Sequence, residues 1–253
     1  FARPSYKPRK LLKQQKTVLQ QRTALGFGKN PVEPVISQGD TAQRSYIARN
    51  KYKVDGKGVK VGILSDSYNH LGSADIGVED GELPGKGNPL KDKKRVEVLQ
   101  DFNDNSATDE GRAMAEIVYD VAPGAELAFH TAFAGEANFA QGIQDLANIG
   151  CKVIVDDVAY FDEPFFQDGI VAQSVDLAAR KGVSYFSAAG NYSNNSYESD
   201  YHASNEQVLG PGAGFAHNFS APGALPRYFQ PIYIPSGGTF LTSFQWDEPS
   251  FSA

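Results

Sequence analysis

The chain has 253 residues, 41% hydrophobic and 21% charged, with a net charge of −6. That length buries a sizeable core, and the composition excludes a low-complexity or disordered chain. No apolar run approaches the ~20 residues of a membrane-spanning helix, and the single cysteine, Cys151, excludes an internal disulfide.

The first thirty residues hold eight basic side chains, from Arg3 to Lys29, and no acid. A basic arm on an acidic body is either a solvated terminus or a docking element for a protein partner. No basic-aromatic pattern follows it, which argues against nucleic acid. The chain opens on Phe1 without a signal-peptide pattern, and a processed or partial product is expected.

Residues 9–25 place Leu11, Leu12, Val18, Leu19 and Leu25 at near-helical spacing, predicting a peripheral amphipathic helix. A Gly/Pro-rich connector follows. Asp40 is placed to cap a second helix over 41–51, ended by the turn at 55–58. Val-Lys-Val-Gly-Ile-Leu-Ser-Asp-Ser (59–67) then reads as a buried strand. A Gly-rich acidic excursion over 72–92 separates it from a second strand at 93–102.

Beyond this point strands and helices alternate. A helix is predicted over 109–120, a strand over 125–133, a helix over 138–150 and a strand over 151–160. A helix over 169–182 and a strand over 183–191 complete the series, and Gly150 and Gly182 stop the last two helices. Short links between these elements predict an α/β fold, a parallel sheet with helices on both faces. The site of such a sheet lies beyond the carboxyl ends of its strands. Those ends are Ser65–Ser67, Thr131–Phe133, Asp156–Tyr160 and Ala188–Asn191, where the acids and an asparagine gather. After Tyr197 the pattern alternates, with Pro/Gly turns and the sole tryptophan, Trp246, and predicts a β-rich segment. The expected organisation is a basic arm with helices over 1–54, a core over 55–197, and a β-rich insertion or sandwich start over 198–253.

Four stretches in order, Val59–Ser67, Glu110–Leu127, Lys152–Tyr160 and Gly182–Asn191, carry a resemblance to subtilisin-like peptidases (the subtilase superfamily) across residues 55–192. "EGRAMAEIVYDVAPGAEL" resembles the family's His-Gly-Thr helix with its "APGA" exit. "GVSYFSAAGN" resembles the strand that delivers the oxyanion asparagine. The fold the resemblance implies is subtilisin-like.

At the family's histidine position this chain has Glu110, as sedolisin-type relatives do. The resemblance makes Glu110 the base toward a serine; a capping acid at a helix start is the competing reading. An unperturbed Glu has a pKa near 4.3, so a second carboxylate or burial is needed for it to work near neutral pH. The sedolisin partner one turn later is absent here, Met114 standing in its place. Asp66 is the first substitute, although it falls one position after the family's aspartate, and Asp157 is the second. Asn191 would donate to the oxyanion. Gly111, Val158, Ala159 and Tyr160 would line the substrate, Gly111 by allowing the peptide backbone to pass close to the helix start. No Gly-Thr-Ser turn precedes Ala253, so the nucleophile is expected outside this chain.

The resemblance implies a secreted or cell-surface endopeptidase with a peptide or protein substrate and no required cofactor. Calcium, common in the family, finds its only candidate in the acidic loop 72–88, which lacks EF-hand-type spacing. The alternative function is a catalytically inactive subunit of the same fold acting as a binding component of a surface assembly. The stretch "YFDEPFFQDG" (160–169) either walls a specificity pocket or packs on the core. Cys151, opening a strand, reads as a core thiol. The four histidines, His70, His130, His202 and His217, show no metal-ligand spacing.

Overall fold

The computed structural model describes residues 34–192, 195–210, 213–221 and 223–247. The helix expected over 9–25 and the basic arm lie outside them. The chain divides into two compact units, one reaching Gly190 and resuming at Gln245, the other spanning Asn191–Phe244.

In the first unit five strands form one parallel sheet in the order β2-β3-β1-β4-β5. They are β1 (Lys60–Ser65), β2 (Glu97–Gln100), β3 (Glu126–Thr131), β4 (Val153–Asp156) and β5 (Ser184–Ser187). β1 lies at the centre, with Ile63 opposite Phe129 of β3 and Val155 of β4. The chain therefore crosses over β1 between β3 and β4, and the carboxyl ends of β1 and β4 are neighbours.

Successive side chains of a strand point to opposite faces. Val61 and Ile63 join Leu127 and Phe129 in one core cluster, while Leu64, Ala128 and Ile154 join the other. Helices α1 (Gln38–Ala42), α2 (Ser45–Ile47) and α3 (Ala74–Glu79) precede the three long ones, α4 (Glu110–Val121), α5 (Glu136–Asn148) and α6 (Ile170–Arg180). α4 covers the first face through Ala115 and Tyr119. α5 and α6 cover the second through Phe139, Ile143, Leu146 and Ala178. The expected sheet with helices on both faces is the one present.

Both expected glycine stops are there. Gly150 and Gly182 sit at φ 92° and 81°, where a side chain would strain. After α5 the N–H of Cys151 reaches the Leu146 carbonyl and that of Gly150 the Ala147 carbonyl; Val183 to Ala178 and Gly182 to Ala179 repeat the pattern after α6. These paired bonds satisfy carbonyls that a helix end leaves orphaned.

Two expectations are corrected. The helix over 41–51 is broken: α1 and α2 are separated by Arg44 in the left-handed region, and a π-type turn over Ala48–Tyr52 follows. Its cap is not Asp40 but Ser37, whose side chain accepts from the Gly39 N–H. Asp40 is buried inside the first turn, bound by Arg49 at 2.6 and 2.8 Å and by Ser45 at 2.6 Å. The local rule failed because a distant cation outbids the helix terminus for the carboxylate. The same Arg49 donates to the Val121 carbonyl at the end of α4, at 2.8 Å. The excursion over 72–92 also holds α3, which its glycines concealed.

The second unit contains an antiparallel pair, β6 (Ala203–Val208) with β7 (Gly214–His217). No strand follows among the described residues up to 247. Among the described residues the β-rich expectation is met by this hairpin. Residues 228–244 alternate in sequence, but Pro231, Pro235 and Gly237 interrupt them and no partner strand takes their N–H groups.

Candidate active site

Three chain segments meet at the carboxyl ends of β1 and β4: residues 65–67, the start of α4, and residues 156–160. β1 delivers Asp66, fully buried. Its carboxylate accepts from the backbone N–H and hydroxyl of Thr108, both at 2.6 Å, from the Glu110 N–H at 2.9 Å, and from the Ser67 N–H. Its carbonyl is held by the Thr131 hydroxyl at 2.6 Å, from the end of β3. A carboxylate accepting several N–H bonds at a helix start satisfies donors that the helix cannot. Asp66 therefore ties the end of β1 to the first turn of α4 and points that turn at the sheet edge.

Asp109 precedes the helix in the left-handed conformation, φ 58° and ψ 34°. It too is buried. It accepts from the Ser67 hydroxyl at 3.0 Å, the Leu71 N–H at 3.1 Å and Arg112 at 2.8 Å, and returns its own N–H to Ser67 Oγ at 2.8 Å. Sequence reasoning missed Ser67, Thr108, Asp109 and Arg112. The available signal was the pairing of two short polar runs, Ser-Asp-Ser and Thr-Asp-Glu, each suited to hydrogen-bonding backbone. Directly after Asp109 the chain places Glu110, half-buried at the first position of α4.

Asp157 comes from the neighbouring strand end. Its carboxyl pKa is pushed up to about 7, first by burial and then by the negative charge of Glu110, with smaller contributions from Asp156 and Asp66. The Ser65 hydroxyl opposes that rise, although Ser65 Oγ has no partner at hydrogen-bonding distance and angle. Asp156, one residue earlier, is also raised, mainly by burial; it accepts from the Ser187 hydroxyl at 2.9 Å and the Val158 N–H at 3.2 Å. Asp66, Glu110 and Asp157 are thus gathered in one unit. Of the two expected partners for Glu110, Asp66 accepts from backbone donors and Thr108, while Asp157 is raised first by burial and then by the charge of Glu110.

The remaining expected residues are placed as follows. Gly111 is buried, and a Cβ there would run into the Phe129 ring and lie 2.9 Å from the Ser67 carbonyl oxygen. The glycine lets the first turn of the helix seat on the core. Val158 packs against the second core cluster and Ala159 is half-buried. Tyr160 turns inward: it is 7% exposed, its hydroxyl donates to the Ala132 carbonyl at 2.8 Å, and its ring tilts against Phe139. Asn191 is the first residue of the second unit.

The stretch 160–169 divides between its two readings, Tyr160 packing on the core while Phe165 and Phe166 stand 58% and 49% exposed. Cys151 is 1% exposed, and burial pushes its thiol pKa up to about 12, as a core thiol requires. Buried His130 bonds to the Thr131 carbonyl through Nδ1 at 2.7 Å. Among the described residues no three His, Cys, Asp or Glu side chains gather as a metal site, the loop 72–88 included.

No protein-family profile matches the sequence, and no curated protein matches it. Among solved structures, similarity is found to the prenylagaramide maturation protease PagA, with a TM-score of 0.40 and 15% identity over 59% of this chain and 50% of that one. A lanthipeptide protease gives 0.40 and 20%, over 59% and 44% of the two chains. Fervidolysin from Fervidobacterium pennivorans, a keratinolytic enzyme related to subtilisin, gives 0.33 and 16%, over 59% and 23%. The chain spans half or less of the length of each.

Proposed function

We propose that this chain carries the acid–base part of a secreted or cell-surface serine endopeptidase of the subtilisin/sedolisin type, with a carboxylate pair in place of a histidine. The observation that carries this reading is the placing of Glu110 and Asp157 at the carboxyl ends of a parallel sheet, where burial and then Glu110's charge hold the Asp157 proton up to about pH 7.

Just below that pH the pair keeps one proton and one negative charge and titrates jointly. Glu110 is then the ionised member and takes the proton of a serine hydroxyl as the oxygen attacks a peptide carbonyl. Asp157, protonated, donates toward Glu110 and spares the site a second buried charge. Asp66 acts through Glu110: it fixes the first turn of α4 and so the direction of the base. The serine is assigned to chain outside these 253 residues. Asn191 is the proposed oxyanion donor; removing the corresponding asparagine of subtilisin costs about 2.7–4 kcal/mol of transition-state stabilisation. The backbone of Val158 and Ala159 would lie along the substrate. The basic arm 1–30 is left for a protein partner.

Fluorophosphonate labelling and peptide hydrolysis by the full-length natural protein, followed across pH 4–9, test this. Labelling of a serine with turnover highest below pH 7, both lost in Glu110→Gln, is expected. A rate optimum at pH 8 or above requires an imidazole-like base and removes the assignment. Absence of any label on the intact protein favours the non-catalytic binding role.

A further inference from the structure

Gln245 lies far from the site in sequence, where the chain returns from the second unit to the first. Its side-chain amide engages three main-chain groups of one loop. Nε2 donates to the Phe161 carbonyl at 3.2 Å and to the Glu163 carbonyl at 2.9 Å, while Oε1 accepts the Phe165 N–H at 2.7 Å. A primary amide offers two donors and an acceptor in one plane, and here all three meet main-chain groups of the same loop.

The loop so held starts four residues after Asp157. It is anchored from below by Tyr160, through the Ala132 carbonyl and the Phe139 ring, and from its other edge by Gln245. At the clamped end Phe165 and Phe166 stand outward, each about half exposed. Two adjacent exposed phenylalanines cost solvation that a free loop would relieve by folding them inward. The amide clamp fixes the loop's main chain at Phe161, Glu163 and Phe165, and so the direction in which Phe165 leaves it.

We infer that Gln245 is a positioning residue for substrate selection: it holds loop 161–166 so that Phe165 and Phe166 meet an apolar side chain of a bound peptide. The inference rests on the peptidase reading above, because the occupant is identified by the loop's continuity with the Asp157 strand end.

The test uses the full-length protein carrying Glu110→Gln to stop turnover, with and without Gln245→Ala. Amide hydrogen exchange is followed at Phe165. Fluorescence anisotropy reports binding of two labelled peptides that differ only in a central Phe or Gly. A Phe165→Ser/Phe166→Ser variant, altered only at exposed positions, serves as a second route. Gln245→Ala is expected to speed Phe165 exchange at least tenfold and weaken the Phe peptide at least fivefold. The Gly peptide should stay within twofold, and the double serine variant should lose the same preference with Gln245 intact. Unchanged exchange at Phe165, or a Phe/Gly preference that survives Gln245→Ala, overturns the inference while leaving the peptidase reading standing. If the Glu110→Gln protein binds neither peptide, the peptidase reading itself falls and takes the substrate role of Gln245 with it.

Discussion

The backbone N–H of Glu110 donates to Asp66 Oδ1 at 2.9 Å, so the residue read as the base is held by its main chain to the residue first read as its partner. The carboxylate of Asp66 is committed to backbone and to Thr108. The charge of Glu110 in turn raises the pKa of Asp157, so Asp66 is tied to Glu110 through its main chain and Asp157 through its charge.

Asp66→Ala strands the Thr108, Glu110 and Ser67 N–H groups in a buried place. Each unmade bond of this kind costs about 1–3 kcal/mol, so a loss of at least ~3 kcal/mol is expected in urea unfolding. Asp66→Asn keeps an acceptor and a similar shape, and should lose less than half of that. A loss below ~1 kcal/mol for the alanine variant would show that these bonds do not hold the helix start.

Asp157 links stability to pH in a defined direction. Its pKa is about 7 in the folded chain against an ordinary value of 3.8, so the native state binds the proton more tightly than the unfolded one. The stabilisation is complete below about pH 4 and is lost as pH rises to about 7. Asp157→Asn should flatten that part of the curve and be relatively more stable at pH 8. Glu110→Gln, which removes the nearby charge, should shift the Asp157 titration downward, read by carboxyl carbon NMR.

Arg49 is expected to matter for both the acid limit and the fold. It holds the Asp40 carboxyl below the usual carboxylate range and caps Val121. A depressed carboxyl pKa contributes stability above the unfolded value that is lost as pH falls through the folded one. Arg49→Met should cost about 2 kcal/mol at pH 7, and the cost should shrink toward pH 2. A pH-independent loss would assign the effect to the Val121 cap alone.

Gly111→Ala sets helix propensity against packing. On propensity alone the change gains about 1 kcal/mol. The added methyl runs into Phe129 and the Ser67 carbonyl, and overpacking of this kind costs typically 1–3 kcal/mol. The net expectation is destabilisation by about 1–2 kcal/mol, relieved in part by Phe129→Leu, measured by the thermal midpoint of the single and double variants.

What the sequence determined by itself is the local and periodic part. Val61, Ile63 and Leu64 alternate between the two core clusters because a strand has period two. Gly150 and Gly182 end α5 and α6 because only glycine takes the left-handed stop without strain. The order of strands and helices and the gathering of acids at strand ends follow from the same rules. Tertiary structure alone decided the pairings. Asp40 read as a cap until Arg49, nine residues on, claimed it. Tyr160 places its hydroxyl on the Ala132 carbonyl, 28 residues earlier. Glu110 and Asp157 come from segments 47 residues apart and meet only because β4 lies beside β1 in parallel register. Gln245 reaches its loop across about eighty residues. Helix ends and strand faces are settled within a few residues of backbone. A buried charge or amide is settled by whichever partner the packed fold brings within hydrogen-bonding reach, and no sequence spacing encodes that distance.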